Sequence, residues 1–180
     1  SYRYKAFNSA VGRSADGLVA GVFSKRVLMP LGEYLPFESR FPSIRKLSPQ
    51  SGNFTSGTEA PVLRFKTPEG QSFAVAPLIC YEDLVPSLSV VGANAGAHFL
   101  ANLTNDAWDG DTSAPYQHHL LASGRAVETR RFMLRVTNTG FTAAIDPLGR
   151  DVAGLPTFSE GTLVVEVPLL ESQTWFAKIA

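Results

Sequence analysis

The change of hydrophobic period at Cys80 constrains this chain more than any other feature. Residues 72–79, SFAVAPLI, form a short apolar run that reads as a buried strand ending abruptly at Cys80. Beyond it, Leu84, Leu88, Val91 and Ala95 recur at helical spacing, with Asp83 as the expected N-cap and Pro86 in the first turn. A strand is expected at 97–104 and a helix at 116–131 with Leu120, Ala122, Ala126 and Val127 near one face. Another strand follows at 132–137. Strand, helix, strand, helix, strand implies an α/β layered domain.

The flanking segments fit that plan. Stretches 4–11 and 18–23 surround GRSADG and read as a β-hairpin. Residues 25–61 are rich in Pro, Gly and Ser and read as a long surface loop with one short helical piece at 40–47. Strand 62–66 joins 72–79 through TPEG. Strand 141–145 follows the turn NTG, DPLGRD is a further turn, and 162–167 reads as the last strand. No internal domain boundary or repeat is visible, so residues 1–180 are expected to form a single domain.

Composition excludes several classes. Sixteen basic residues balance sixteen acidic ones, so no global charge draws nucleic acid or an anionic membrane. A single cysteine rules out an internal disulfide framework and a four-thiolate zinc site. No apolar run approaches the roughly 18 residues that suggest a membrane-spanning helix. The opening SYRYKAFNSAVG lacks the order of a signal peptide, and the chain is expected to be a segment of a longer protein.

Cys80 has two readings. A free cysteine is commonly a small buried hydrophobe. A thiol at the end of a strand that enters a helix also meets free N–H groups and a partial positive charge, which favour a thiolate and hold an oxyanion. A histidine base has weak support. His98 begins an apolar strand as an edge or packing residue, and His118 and His119 come with no evident orienting acid. Adjacent helical histidines point apart, so they are not expected to hold a metal. In KRVLMPLGEYLPF, Lys25 follows a strand and Glu33 lies beyond a Pro and a Gly. A lysine near the cysteine would lower its pKa and donate to an oxyanion, although a lone loop lysine is commonly a solvated charge.

These segments together resemble the nitrilase superfamily, and within it the apolipoprotein N-acyltransferases. KRVLMPLGEYLPF is similar to the lysine segment, ICYE to the nucleophile segment, LTNDAWDG to the Asn-Asp-Ala-Trp loop, and PYQHHLLASGRAVETRRFMLRVTNTGFTAAIDPLGR to the helix and strands that follow. The resemblance covers nearly the whole chain in order. It implies a nitrilase-like αββα sandwich, here incomplete at its N-terminus and represented by its C-terminal portion. It implies Cys80 as nucleophile and Lys25 as catalytic lysine, with Glu33, Tyr81 and Glu82 in supporting positions. It implies no cofactor and no metal.

The implied reaction moves an acyl chain from a phospholipid through a cysteine thioester to the N-terminal amine of a diacylglyceryl-modified lipoprotein. The implied location is a bacterial inner membrane, with the catalytic domain facing the periplasm and anchored through segments outside this sequence. No nucleic-acid partner is implied. The family's base glutamate falls upstream of the hairpin, so the isolated chain is expected to be nearly inactive. A soluble amidase or other carbon-nitrogen hydrolase, and a non-catalytic nitrilase-like fragment, are the alternatives. CYE rather than CYD, and PLGEYLPF, favour the acyltransferase branch.

Other residues keep open readings. Trp108 is an acyl contact or loop packing, and Asn105 and Asp106 are site residues or turn formers. Asp109 stands where the acyltransferases usually carry an aromatic. Arg125, Glu128 and Arg131 read as a solvated ion-pair network, and Asn138 and Gly140 as a tight turn. Leu35, Phe37 and Phe41 touch lipid or pack the long loop as a satellite cluster.

Overall fold

A computed structural model describes residues 4–108 and 110–180. A hairpin of β1 (Ser9–Arg13) and β2 (Val19–Ser24) comes first. It is followed by a long loop containing a 3-10 turn, Pro42–Lys46. Then come β3 (Leu63–Lys66), β4 (Ser72–Ile79), a 3-10 turn Cys80–Leu84, α1 (Pro86–Asn94) and β5 (Phe99–Thr104). The rest is α2 (Ala114–Thr129), β6 (Phe132–Thr137), β7 (Thr142–Ile145), β8 (Asp151–Leu155) and α3 (Trp175–Ile179).

Strands β3 to β8 form one sheet in sequence order. The central β4, β5 and β6 run parallel, and the outer pairs are antiparallel. Parallel neighbours need crossovers, and α1 and α2 supply them on one face. The core between that face and the helices holds Ala76, Leu78, Leu100, Met133 and Ile145 against Ala122 and Ala126. On the opposite face Phe23 of the hairpin meets Leu63 and Ile79, with Phe65 and Cys80 packed alongside. A Cβ on Gly12 would press on Phe65, and one on Gly21 on Leu63. These cross-strand partners are glycines so that the hairpin can lie close on β3.

Strands 72–79 and 132–137 form at their expected bounds, and β2, β3, β5 and β7 lie within two residues of theirs, whereas β1 starts at Ser9 rather than residue 4. The expected helix faces are corrected. In α1 the buried residues are Ser89, Val90, Gly92 and Ala93, and Val91 is exposed. In α2, Ala122 and Ala126 face the core while Leu120 and Val127 are exposed. Small side chains let these helices approach the sheet closely, so size rather than hydropathy sets the inner face.

The start of the first helix is also corrected. Helix α1 begins at Pro86 after an N-cap at Val85, so Asp83 caps nothing and Cys80 lies within a separate one-turn segment. The stretch 162–167 forms no strand. Its alternation survives as burial, with Leu163, Val165 and Val167 half-buried and Val164 exposed, but no neighbour pairs with it. Strand β8, unexpected from DVAGL with its internal Gly, instead pairs with β7.

Candidate active site

Cys80 sits at the C-terminal end of β4, where the chain turns sharply out of the sheet. Its φ is 51°, in the left-handed region that a residue with a Cβ occupies only under constraint. The thiol is free and half-buried against the Phe23, Leu63 and Ile79 cluster. Both sequence readings therefore describe part of the environment: an apolar wall on one side, and a strained strand-end elbow of the kind that presents nucleophiles.

Glu82 explains what holds the elbow. Its carboxylate is fully buried and accepts three backbone N–H groups. Oε2 takes Ile79 at 2.8 Å, and Oε1 takes Arg26 at 2.6 Å and Val27 at 3.1 Å. One side chain thus ties the residue before Cys80 to the two residues after Lys25. Burial pushes the Glu82 carboxyl above its ordinary range, against the three N–H groups and the Lys25 charge. Glu82→Gln would keep one accepting oxygen and turn an NH2 group onto at least one N–H. A loss of about 1–3 kcal/mol is expected, read as a lower chemical-denaturation midpoint. An unchanged midpoint would remove the clamp from the account.

Lys25 follows β2 directly and is 1% exposed. Its Nζ lies 2.7 Å from Oε2 of Glu33. Asn8 donates to Oε1 of Glu33 at 2.9 Å, and the Met29 N–H donates to Oε2 at 2.8 Å. Burial pushes the Glu33 carboxyl up, but Lys25, Met29 and Asn8 outweigh it and hold it below the ordinary range. The returning end of the loop fixes this segment, with Phe54 N–H on the Glu33 carbonyl and Gly57 N–H on that of Lys25. Lys25 is accordingly not the solvated charge that a lone loop lysine suggests. Tyr81 is half-buried beside Cys80.

A second network lies beneath the elbow, built from residues that no local pattern singles out. Arg135 of β6 is fully buried and reaches Asp83 Oδ2 at 2.5 Å and Asp106 Oδ2 at 3.1 Å. His118 of α2 closes the circuit, with Nε2 at 2.8 Å from Asp83 Oδ1 and Nδ1 at 3.1 Å from Asp106 Oδ1. Asn102 of β5 accepts from Arg135 at 2.8 Å and donates to the Cys80 carbonyl at 3.3 Å. Asn102 and Arg135 are register partners on adjacent parallel strands, which is why the two side chains meet. His118 therefore has two orienting acids, and His119 has Asp151 at 3.0 Å, contrary to the expectation of none.

Titration of this network follows from its charges. Burial alone pushes the His118 imidazole down, but its hydrogen bonds to Asp106 and Asp83 lift it to about 9. Burial pushes Asp106 up, and His118 with Arg135 outweighs it, leaving that carboxyl below its ordinary range. A raised histidine stabilises the fold fully below its unfolded value, near 6.5, and loses that contribution as pH climbs through about 9. A depressed carboxyl does the reverse, losing its contribution as pH falls below the ordinary aspartate value. The unfolding midpoint of the intact protein should therefore fall on both flanks, the alkaline loss being about 3 kcal/mol. A midpoint constant from pH 6.5 to 9.5 would contradict the alkaline arm.

Asn105 and Asn138 lock two loops together: Asn138 donates to Asn105 Oδ1 at 2.7 Å and accepts the Asp106 N–H at 3.1 Å. Asn105 also accepts the Ala107 N–H, so it does shape a turn. Asp106 is buried in the ring instead of forming a turn on the surface, and a Cβ at Gly140 would overlap its carboxylate. Trp108 is 88% exposed, so it does not pack its loop. Asp109 lies outside the described residues. Arg125 and Glu128 pair at 2.6 Å, whereas Arg131 is buried and donates to the carbonyls of Ala97, Thr129, Arg130 and Ser172. Leu35 is buried, while Phe37 and Phe41 are exposed. His98 is a packing residue whose Nδ1 accepts the Ala74 N–H. No cluster able to hold a metal occurs among the described residues.

Comparison with known proteins extends this geometry. The carbon-nitrogen hydrolase family profile matches residues 1–176. The chain is 35% identical over 177 residues to apolipoprotein N-acyltransferase 2 of Treponema denticola, covering 96% of this chain and 34% of that protein. It is 39% identical over 174 residues to the apolipoprotein N-acyltransferase of Geobacter metallireducens, covering 97% of this chain and 32% of that one. It thus spans about a third of the length of the curated relatives it matches. Among solved structures, the NitN amidase of Nesterenkonia sp. AN1 aligns with a TM-score of 0.64 at 20% identity, covering 96% of this chain and 59% of that one.

Proposed function

Because the chain belongs to the carbon-nitrogen hydrolase family, whose profile matches residues 1–176, we propose that it carries the nucleophile centre of an apolipoprotein N-acyltransferase. The observation that carries the reading is the Glu82 clamp, which joins a strained Cys80 elbow to the buried Lys25. Similarity to proteins named apolipoprotein N-acyltransferase over nearly the whole chain supplies the reaction class.

In this reading the Cys80 thiolate attacks the ester carbonyl of a phospholipid, while Lys25 and the Tyr81 N–H stabilise the oxyanion. The ester C–O bond breaks, and the lysophospholipid alkoxide takes the proton the thiol has lost, leaving a thioester on Cys80. The α-amine of a diacylglyceryl-modified lipoprotein then attacks that thioester. The C–S bond breaks, the amine gives up a proton, and an amide and a free thiol result. Glu33 is committed to Lys25 and Glu82 to three N–H groups, so the base that shuttles these protons is neither of them. Exposed Trp108, Phe37 and Phe41 are the proposed contacts for acyl chains. Residues 1–180 are the C-terminal portion of a single nitrilase-like catalytic domain at a bacterial inner membrane, facing the periplasm. No helix among the described residues is long and apolar enough to cross a membrane. In this reading the intact protein attaches to the membrane through segments other than these residues.

The test is intact-mass spectrometry of the full-length protein in detergent after incubation with a phospholipid. An acyl mass that hydroxylamine removes and that Cys80→Ala abolishes is expected. No adduct, together with rapid hydrolysis of small amides, would replace this reading with that of a carbon-nitrogen hydrolase.

A further inference from the structure

The ring beneath the elbow has a charge requirement that its geometry states directly. Asp83 and Asp106 bring two carboxylates against the single guanidinium of Arg135. His118 faces a carboxylate oxygen at each ring nitrogen. A carboxylate only accepts, so both nitrogens must donate, and a neutral imidazole has one N–H to give. The charged groups facing His118 are Asp83 from the turn after β4, Asp106 from the loop after β5 and Arg135 from β6. Its neighbour His119 turns away to Asp151.

The ring is joined to Cys80 twice. Asp83 belongs to the same one-turn segment that Cys80 opens, and Asn102 links Arg135 to the Cys80 carbonyl. Glu82 ties the elbow to the lysine segment, and this ring ties it to β5, β6 and α2. We infer that His118, in its imidazolium form, is a positioning residue for Cys80, closing the Arg135–Asp83–Asp106 ring that fixes the elbow; the inference rests on Cys80 being the nucleophile. Loss of the second N–H would set a lone pair against a carboxylate and open the ring. That leaves one of the two carboxylates held by Arg135 alone and slackens the strained turn. The upward shift of His118 to about 9 keeps the ring closed through neutral pH and places its opening on the alkaline side.

The test compares wild type, His118→Gln and His118→Lys in the full-length protein, with folding checked by circular dichroism. The rate of acyl-thioester formation from phospholipid is followed from pH 6.5 to 10; this step involves no acceptor amine. The wild-type rate should fall as pH passes about 9. His118→Gln should be slower by about tenfold or more at neutral pH and lack that fall. His118→Lys, a permanent cation, should recover part of the neutral rate and also lack the fall. A wild-type rate that holds or rises to pH 10, or a His118→Gln protein with the wild-type rate and alkaline fall, would overturn the inference. Iodoacetamide labelling of Cys80, read by peptide mapping, separates the two readings. If wild type forms no acyl adduct, the proposed function fails. A labelling rate altered about threefold or more by His118→Gln would still support the positioning role, and an unaltered rate would sink it.

Discussion

Arg135→Met is expected to destabilise the fold by about 3–5 kcal/mol. The reason is the imbalance it leaves. Two buried carboxylates, Asp83 and Asp106, would face only His118, and the Asn102 carbonyl oxygen would lose its donor. The guanidinium is fully buried, so water cannot take its place without opening the space between α2 and the sheet. The measurement is the thermal unfolding midpoint of the intact protein beside the triple variant that adds Asp83→Asn and Asp106→Asn. Removing the orphaned charges should return a large part of the loss, because the charge imbalance and not the packed volume is then the cause. A single variant with the wild-type midpoint would mean that the ring contributes nothing net.

Lys25→Met should lower the rate of acyl-thioester formation by about a hundredfold to a thousandfold, the usual effect of removing one oxyanion donor. Methionine keeps the unbranched stem, so the apolar packing at the end of β2 survives better than with alanine. Lys25→Arg should be no better than Met. The site is closed at 1% exposure, and the Glu33 contact is made to a single ammonium at 2.7 Å, with no room for a planar fork. Stopped-flow or quenched mass measurement of the adduct decides the matter. A rate within about threefold of wild type would take Lys25 out of the chemistry and leave it as the structural partner of Glu33. Reading Glu82→Gln beside it separates loss of the donor from loss of the loop that carries it.

Much of the fold could be read from local pattern. The runs 72–79 and 132–137 are apolar because their strands lie in the middle of a parallel sheet, and burial imposes that composition. The order of strands and helices around Cys80 follows from the switch of hydrophobic period, and Lys25, Glu33, Cys80 and Glu82 stand in segments whose resemblance to known enzymes is legible in one dimension. Where pattern failed, pairing or packing decided. The stretch 162–167 alternates as a strand does, yet a strand also needs a neighbour, and β8 took the place beside β7. In α2, Leu120 and Val127 looked like core residues, but Ala122 and Ala126 permit the closer approach to the sheet.

The ring depends wholly on contacts between segments far apart in the chain. Asp83 looked like a helix cap, Asp106 a turn former, and His118 a histidine without an acid. Arg135 carried no reading of its own within the strand 132–137. Each is an ordinary residue in its own segment. Their partners come from a turn, a loop, a helix and a strand that only the crossovers of the parallel sheet bring together. Local pattern sets the central strands, the helices between them and the segment that bears the thiol, because backbone preference and burial act over a few neighbouring residues. The tertiary structure decided how the thiol is held, because electrostatic partnership acts through space and leaves no period in the sequence.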